Sequence, residues 1–145
     1  MRLVTVLCFA LFVACSAGCS SSPAAGAQRS PSETLRQFLA AMDQSASDDR
    51  ALRVAYELLA SPAQKALEAR AARVKSLAGQ SLEPWQMLAQ GRFRLRFSPA
   101  SRRGMRESIQ GDRATVTVTG TGPDERADVP LVRENGQWRV SLVLD

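Results

Sequence analysis

Val129-Pro130-Leu131-Val132-Arg133-Glu134-Asn135-Gly136-Gln137-Trp138-Arg139-Val140 is the stretch on which the fold turns. Asn135-Gly136 is a dipeptide that accepts positive φ at both central positions of a type I′ turn, so the two flanking runs read as a β-hairpin with a two-residue loop. Counting outward from that turn sets Arg133 opposite Trp138, Leu131 opposite Val140 and Val129 opposite Leu142. The apolar members of those pairs then share one face, and a slip of one residue would turn all of them to solvent. Trp138 is expected in the core, under Arg133 or against Leu131. Pro130 has no backbone N–H for a ladder, which predicts an edge or bulged strand.

Upstream, the same period of two recurs. Gly111-Asp112 turns into Arg113–Thr119, where Ala114, Val116 and Val118 face inward and Thr115, Thr117 and Thr119 outward. A less regular strand is expected over about Arg103 to Ile109. From Arg92 another alternation puts Phe93, Leu95 and Phe97 on one side and Arg92, Arg94 and Arg96 on the other, the pattern of a half-buried strand.

Before Arg92 the period is helical. Ser30-Pro31-Ser32-Glu33 is a capping box with proline at the first helical position, followed by Leu35, Phe38, Leu39 and Met42 on one stripe to about Ala46. Asp48 or Ser47 can cap a second helix with Leu52, Ala55, Tyr56 and Leu59 inward. Ser61-Pro62-Ala63-Gln64 repeats the capping-box pattern and opens a third, with Leu67, Ala71, Val74 and Leu77 on its buried face and Gly79 at its end. Pro84 to Leu88 reads as one short helical turn.

Helices first and an antiparallel sheet afterwards predict a single α+β domain over residues 30–145. Three motifs in this order resemble the nuclear transport factor 2-like superfamily, in particular its small bacterial lipoproteins: Ser30-Pro31-x-Glu33, Tyr56-Glu57-Leu58-Leu59-Ala60-Ser61-Pro62, and the closing Val129–Val140 hairpin. The resemblance implies N-terminal helices packed on a curved antiparallel sheet, a cone with a hydrophobic pocket. It implies a range of roles, from isomerases, dehydratases and cyclases to non-catalytic binding and dimerising domains, among which fold alone does not choose.

The chain's first part reads differently. Arg2 followed by the apolar Leu3–Ala14 has the form of a secretory signal, residues 1–18, and is too short for a stable bilayer span. Ser16-Ala17-Gly18-Cys19 resembles a bacterial lipobox, which makes Cys19 the expected acylation site. Cys15 is the alternative, and Ala25-Gly26-Ala27 offers a cut by an ordinary signal peptidase. Residues 19–29 would then be the lipidated cysteine and a flexible tether, with a reach of roughly 17 Å for ten residues. Cysteines 8, 15 and 19 are all the cysteines there are, so the domain has no disulfide framework and no cysteine metal site. The expected location is the bacterial cell envelope, lipid-anchored, at the periplasmic face of the outer membrane ahead of the inner membrane.

Chemistry is narrowed most by the absence of histidine, which removes the commonest general base, the Ser-His and Cys-His pairs and most zinc sites. No catalytic residue, metal or cofactor is expected. Tyr56, Trp85, Phe38 and Phe93 are the candidate pocket residues, Tyr56 as a hydrogen-bonding hydroxyl and the other three as pocket walls. If Phe38, Trp85 and Phe93 fill the cone, no interior ligand fits. Without residues 1–18 the chain has 18 basic against 14 acidic residues, a mild excess. Six of the arginines (Arg92, Arg94, Arg96, Arg102, Arg103 and Arg106) crowd into 15 residues without an acid, a candidate contact for anionic lipid or polymer. Export and the lack of interleaved aromatics argue against nucleic acid.

The function expected is therefore a membrane-anchored, non-catalytic domain that binds a small apolar ligand or an envelope protein. The alternatives are a small pocket enzyme relying on Tyr56 and a carboxylate, and a basic module on an anionic surface. Oligomeric state is left open, with a dimer one outcome.

Overall fold

A computed structural model of the chain describes residues 28–90, 95, 97–99 and 104–143. In order these form α1 (Pro31–Gln44), α2 (Asp49–Glu57), α3 (Ser61–Ala78), a 3₁₀ helix (Pro84–Gln90) and the strands β1 (Met105–Gln110), β2 (Arg113–Thr119), β3 (Arg126–Glu134) and β4 (Gln137–Val140). The strands pair antiparallel in the order β1-β2-β3-β4. Three helices ahead of a four-stranded antiparallel sheet make the domain α+β. The signal segment, Cys15, Cys19 and most of the tether lie outside the described residues.

The closing hairpin has the expected register. Arg133 pairs with Trp138 and Leu131 with Val140; the turn has φ 50° at Asn135 and 76° at Gly136. Leu142, opposite Val129 by the same count, lies past the end of β4, and both side chains pack against the core. Trp138 is 5% exposed, with the Arg133 guanidinium 4.6 Å from its ring centroid.

Pro130 departs from expectation, since β3 is an inner strand. The carbonyl of Pro130 accepts from the Ser141 N–H at 2.9 Å. Carbonyl and nitrogen of one residue point to the same side of an extended strand, so the proline nitrogen faces the side where β4 has already ended. The missing donor interrupts nothing there.

The expected strand from Arg92 is not seen in its describable part. Leu95 and Phe97 lie outside any strand, yet both pack against the core. A Cβ added at Gly120 would come 2.8 Å from the Phe97 ring, which places that ring against the end of β2. At these two described positions the alternation placed the side chains on the correct side; Arg92, Phe93, Arg94 and Arg96 lie outside the described residues.

The free helix N-termini are satisfied partly from the sheet. Ser30 caps α1, its Oγ accepting from Glu33 N at 3.2 Å, and Glu107 on β1 accepts from Ser32 N at 3.0 Å. Asp48 caps α2 through Arg50 N at 2.9 Å. At α3 the expected Ser61 capping box is replaced: the N-cap is Ala60, whose methyl group cannot accept a hydrogen bond. Instead Glu134, at the end of β3, accepts from Ser61 N at 3.1 Å and from Ser61 Oγ at 2.7 Å. A carboxylate against the positive end of a helix dipole is favourable there. Gln64, expected to close the box, donates to the Tyr56 carbonyl at 2.9 Å.

The segment between α2 and α3 covers the outer edge of β4. Ala60 N donates to Val140 O at 2.9 Å and Val140 N to Leu58 O at 2.8 Å, so the last strand does not present an open row of donors. α1 lies across β1, β2 and β4, while α2 and α3 pack on the 3₁₀ helix. Between them Leu35, Leu59, Leu67, Leu88, Leu131, Val116, Val118 and Val140 are each at most 1% exposed. Leu77, expected on the buried stripe of α3, is 80% exposed. It lies in the last turn before Gly79, beyond Ala71 and Val74, the last α3 residues to reach the core.

Candidate functional site

The three candidate pocket residues that are described, Phe38, Tyr56 and Trp85, do not share one open pocket. Phe38 is 2% exposed and belongs to the core with Leu35 and Met42. Phe93 lies outside the described residues. Tyr56 is half-buried, but its hydroxyl donates to Glu68 Oε1 at 3.1 Å on the exposed flank of α3. Trp85 is half-buried at the start of the 3₁₀ helix, where Glu83 N donates to Gln86 Oε1 at 2.8 Å and Gln86 N to Glu83 O at 2.9 Å, closing the turn that carries it.

Of these, Trp85 lines an open cleft. Its neighbours there are Asp49, Arg50, Arg53, Val54 and Glu57, all on the outward face of α2, around a volume of about 430 Å³. The spacing is that of a helix: Asp49, Arg53 and Glu57 stand four residues apart, with Arg50 and Val54 forming the adjacent row. The Arg53 guanidinium lies 5.6 Å from the Trp85 ring centroid. Sequence reading pointed to Trp85 and missed the α2 residues, because an exposed face of mixed charge is the ordinary appearance of any surface helix.

Val54 and Glu57 also line a second, larger cleft of about 740 Å³, which runs from α2 past the start of α3 to the tip of the hairpin. Its polar lining includes Gln37, Gln64, Glu134, Asn135, Gln137 and Arg139. Part of that lining is committed to the fold. Arg139 donates from Nη1 to the Glu57 carbonyl and from Nη2 to Gln137 Oε1 at 3.0 Å, and Glu134 holds Ser61. The lining comes from α1, α2, α3 and the β3–β4 hairpin, and no sequence motif unites them.

Of the six crowded arginines, Arg106 is among the described residues. Arg92, Arg94, Arg96, Arg102 and Arg103 lie outside the described residues. Arg106 is exposed on β1 and shares a shallow depression of about 150 Å³ with Gly104, Thr117, Thr119 and Arg126. Asp128 stands beside it, accepting from Thr117 Oγ1 at 2.5 Å and lying 3.7 Å from Arg126 Nη2. An acid among the cations lowers the local field that a polyanion would meet.

Burial pushes the Tyr56 phenol up to about 12 from its ordinary 10.0, with the Glu68 hydrogen bond and charge adding to the effect. Tyr56 is the chain's one tyrosine, so absorbance at alkaline pH reads it alone. The expected midpoint is near 12, and Glu68→Gln lowers it part of the way, burial being the larger cause. Because the folded value is the higher, the stabilising contribution is complete below pH 10 and is lost as pH rises through 12. A midpoint at 10 in the folded protein would contradict this placement.

Among the described residues no group of three His, Cys, Asp or Glu is arranged to hold a metal ion, and no helix is long and apolar enough to cross a membrane. No protein-family model, no curated protein and no solved structure matches the chain.

Proposed function

We propose that the chain is a lipid-anchored protein of the bacterial cell envelope whose domain, of the nuclear transport factor 2-like kind, works by binding and not by catalysis. The groove formed by the two clefts along α2 is its binding surface. The observation that carries this reading is the contrast, among the described residues, between a tightly buried core, with Phe38, Leu88 and Val116 at most 2% exposed, and an open groove outside it. An apolar ligand inside a cone would have to displace close-packed side chains, a loss of several contacts for each one gained. Binding at the surface needs no such rearrangement.

The catalytic alternative needs Tyr56 and a carboxylate to face one cavity. Tyr56 and Glu68 meet instead on exposed surface, and a phenol raised to about 12 is a poor proton exchanger near neutral pH. The family assignment draws its support from the order of elements, helices and then a hairpin-built sheet, and from the Tyr56–Pro62 segment, which joins α2 to α3 along the edge of β4.

Two measurements test the proposal. The intact mass of the protein isolated from membranes is expected to show a diacylglyceryl adduct on Cys19; an unmodified chain beginning at Ser20 or later would refute the anchor. A photoreactive side chain at Gln37 or Val54 is expected to join the protein to an envelope component in intact cells, whereas one at Ser76, outside the groove, is not. Equal labelling at all three positions would remove the groove from consideration.

A further inference from the structure

A small pocket of about 160 Å³ lies at the outer edge of β4, where that strand meets the approach to α1. Arg29, Leu58, Gln137, Trp138 and Arg139 line it, and among the described residues no carboxylate does. Gln28 closes one side, its Nε2 lying 3.2 Å from where a Cβ on Gly136 would stand. Arg139 is half-buried, and its Nη1 and Nη2 donate to the Glu57 carbonyl and the Gln137 amide oxygen. Both acceptors are neutral, so they orient the guanidinium without cancelling its charge. Five N–H groups belong to a guanidinium, and three of those on Arg139 are left over. Arg29 is exposed and, among the described residues, makes no ion pair. Two cations on one small concavity repel each other and favour an anion between them.

The backbone adds a directional pair of groups. Val140 donates to Leu58 O and accepts from Ala60 N, so its N–H and C=O both point away from β3. Trp138, two residues earlier on the same strand, points its own N–H and C=O to that side. There the α2–α3 connection no longer follows the strand, and no described backbone group meets either of them. An N–H and a C=O left open on a strand edge match one residue of an extended peptide. Leu58 and Trp138 supply the apolar part of the wall, so the anion that fits has an aliphatic group beside it. A cavity of roughly 150 Å³ takes a group the size of benzene, which is about the size of a carboxylate with a short side chain.

We infer that this pocket binds the C-terminal carboxylate of a peptide whose preceding residues lie in the larger cleft beside α2. The inference rests on the reading of that groove as a binding surface and adds the chemistry of the partner. Arg29, Leu58, Gln137 and Arg139 line the 740 Å³ cleft as well, which makes the two continuous. A planar carboxylate takes paired N–H bonds from a guanidinium fork, and the open Trp138 edge holds the last residue in register. Upstream residues of the peptide meet Gln37 and Asn135, whose amides both donate and accept as a peptide backbone does. Glu57 and Glu134 line the larger cleft and not the pocket, so the terminal charge is drawn to the arginines.

The test is fluorescence anisotropy with the full chain and pentapeptides labelled with fluorescein at the N-terminus. Their last residue is alanine, valine or leucine, and each is made as the free acid and as the C-terminal amide. At least one free acid is expected to bind, with its amide weaker by about tenfold or more, the worth of one charge-assisted hydrogen bond. Arg29→Gln, at an exposed position, is expected to weaken the acid by about tenfold and to leave the amide unchanged. No binding by any free acid, equal affinity of acid and amide, or full affinity in Arg29→Gln overturns the inference. Two competitors identify the source of the anion. Propionate as effective as the peptide would show that a free small carboxylate is the ligand and remove the peptide; inorganic phosphate more effective than propionate would remove the carboxylate. Envelope cross-linking at Gln37 and Val54 without any peptide response would sink the carboxylate site while leaving the binding surface; absence of both would end the two together.

Discussion

Trp138→Ala is expected to destabilise the domain by about 3–5 kcal/mol, measured as the shift in free energy from urea unfolding followed by circular dichroism. Trp138 is 5% exposed and lies on the core face of β4, directly across from Arg133 and next but one to Val140, itself 0% exposed. Removing the indole opens a void beneath α1 and takes away the surface over which the Arg133 guanidinium sits at 4.6 Å. A domain of this size has about 5–15 kcal/mol in total, so the variant would be marginal at room temperature. Trp85→Ala is the contrast. Its ring is half-exposed, and the expected loss is below about 2 kcal/mol. Equal losses at the two positions would mean that one has been placed wrongly, and a small loss at both would refute the hairpin register.

Glu134→Ala is expected to cost about 1–2 kcal/mol, because one carboxylate there satisfies both Ser61 N and Ser61 Oγ at the start of α3. The same carboxylate ties the hairpin tip to the α2–α3 connection. Glu134→Gln keeps an oxygen acceptor and loses the charge opposite the helix dipole, so its loss should be the smaller. Ser61→Ala removes the hydroxyl bond alone. A double-mutant cycle between positions 61 and 134 is expected to give a coupling of about 0.5 kcal/mol or more, as for residues in direct contact. Additive losses would show that the hydroxyl bond contributes nothing, and an unchanged stability in Glu134→Ala would show the same of the bond to the Ser61 backbone N–H.

How much of this was legible beforehand follows from the range over which each force acts. The hairpin was readable because Asn135-Gly136 and the alternation around it are local, and the sheet's inner face follows from the pleat once a turn is placed. Helix starts at Ser30 and Asp48 were readable for the same reason. The cap of α3 was misread: a serine followed by proline and glutamine looks self-sufficient, and nothing near it in the chain announces a carboxylate 73 residues away. Pro130 misled because a missing donor was weighed against the strand as a whole, when only the point at which β4 stops determines whether that donor is needed.

The candidate site divides along the same line. Trp85 stood out as a large aromatic at the junction of helices and sheet, and it does line the open cleft. Asp49, Arg50, Arg53 and Glu57 gave no signal, since charges on an outward helix face are ordinary until something concave forms beside them. Tyr56 was placed on the inner stripe, whereas the approach of α3 and Glu68 drew its hydroxyl outward.

Sequence by itself determined the helices, the β2 and hairpin strands, the pairing of the closing hairpin and most of the side chains that avoid water, Leu77 excepted, because backbone geometry and hydrophobic periodicity act over a few residues. Only the tertiary structure decided that Phe38 joins the core, that the sheet's two glutamates serve helix ends, and that α2 borders a groove. Those outcomes depend on which surfaces meet, and packing between distant segments leaves no periodic trace along the chain.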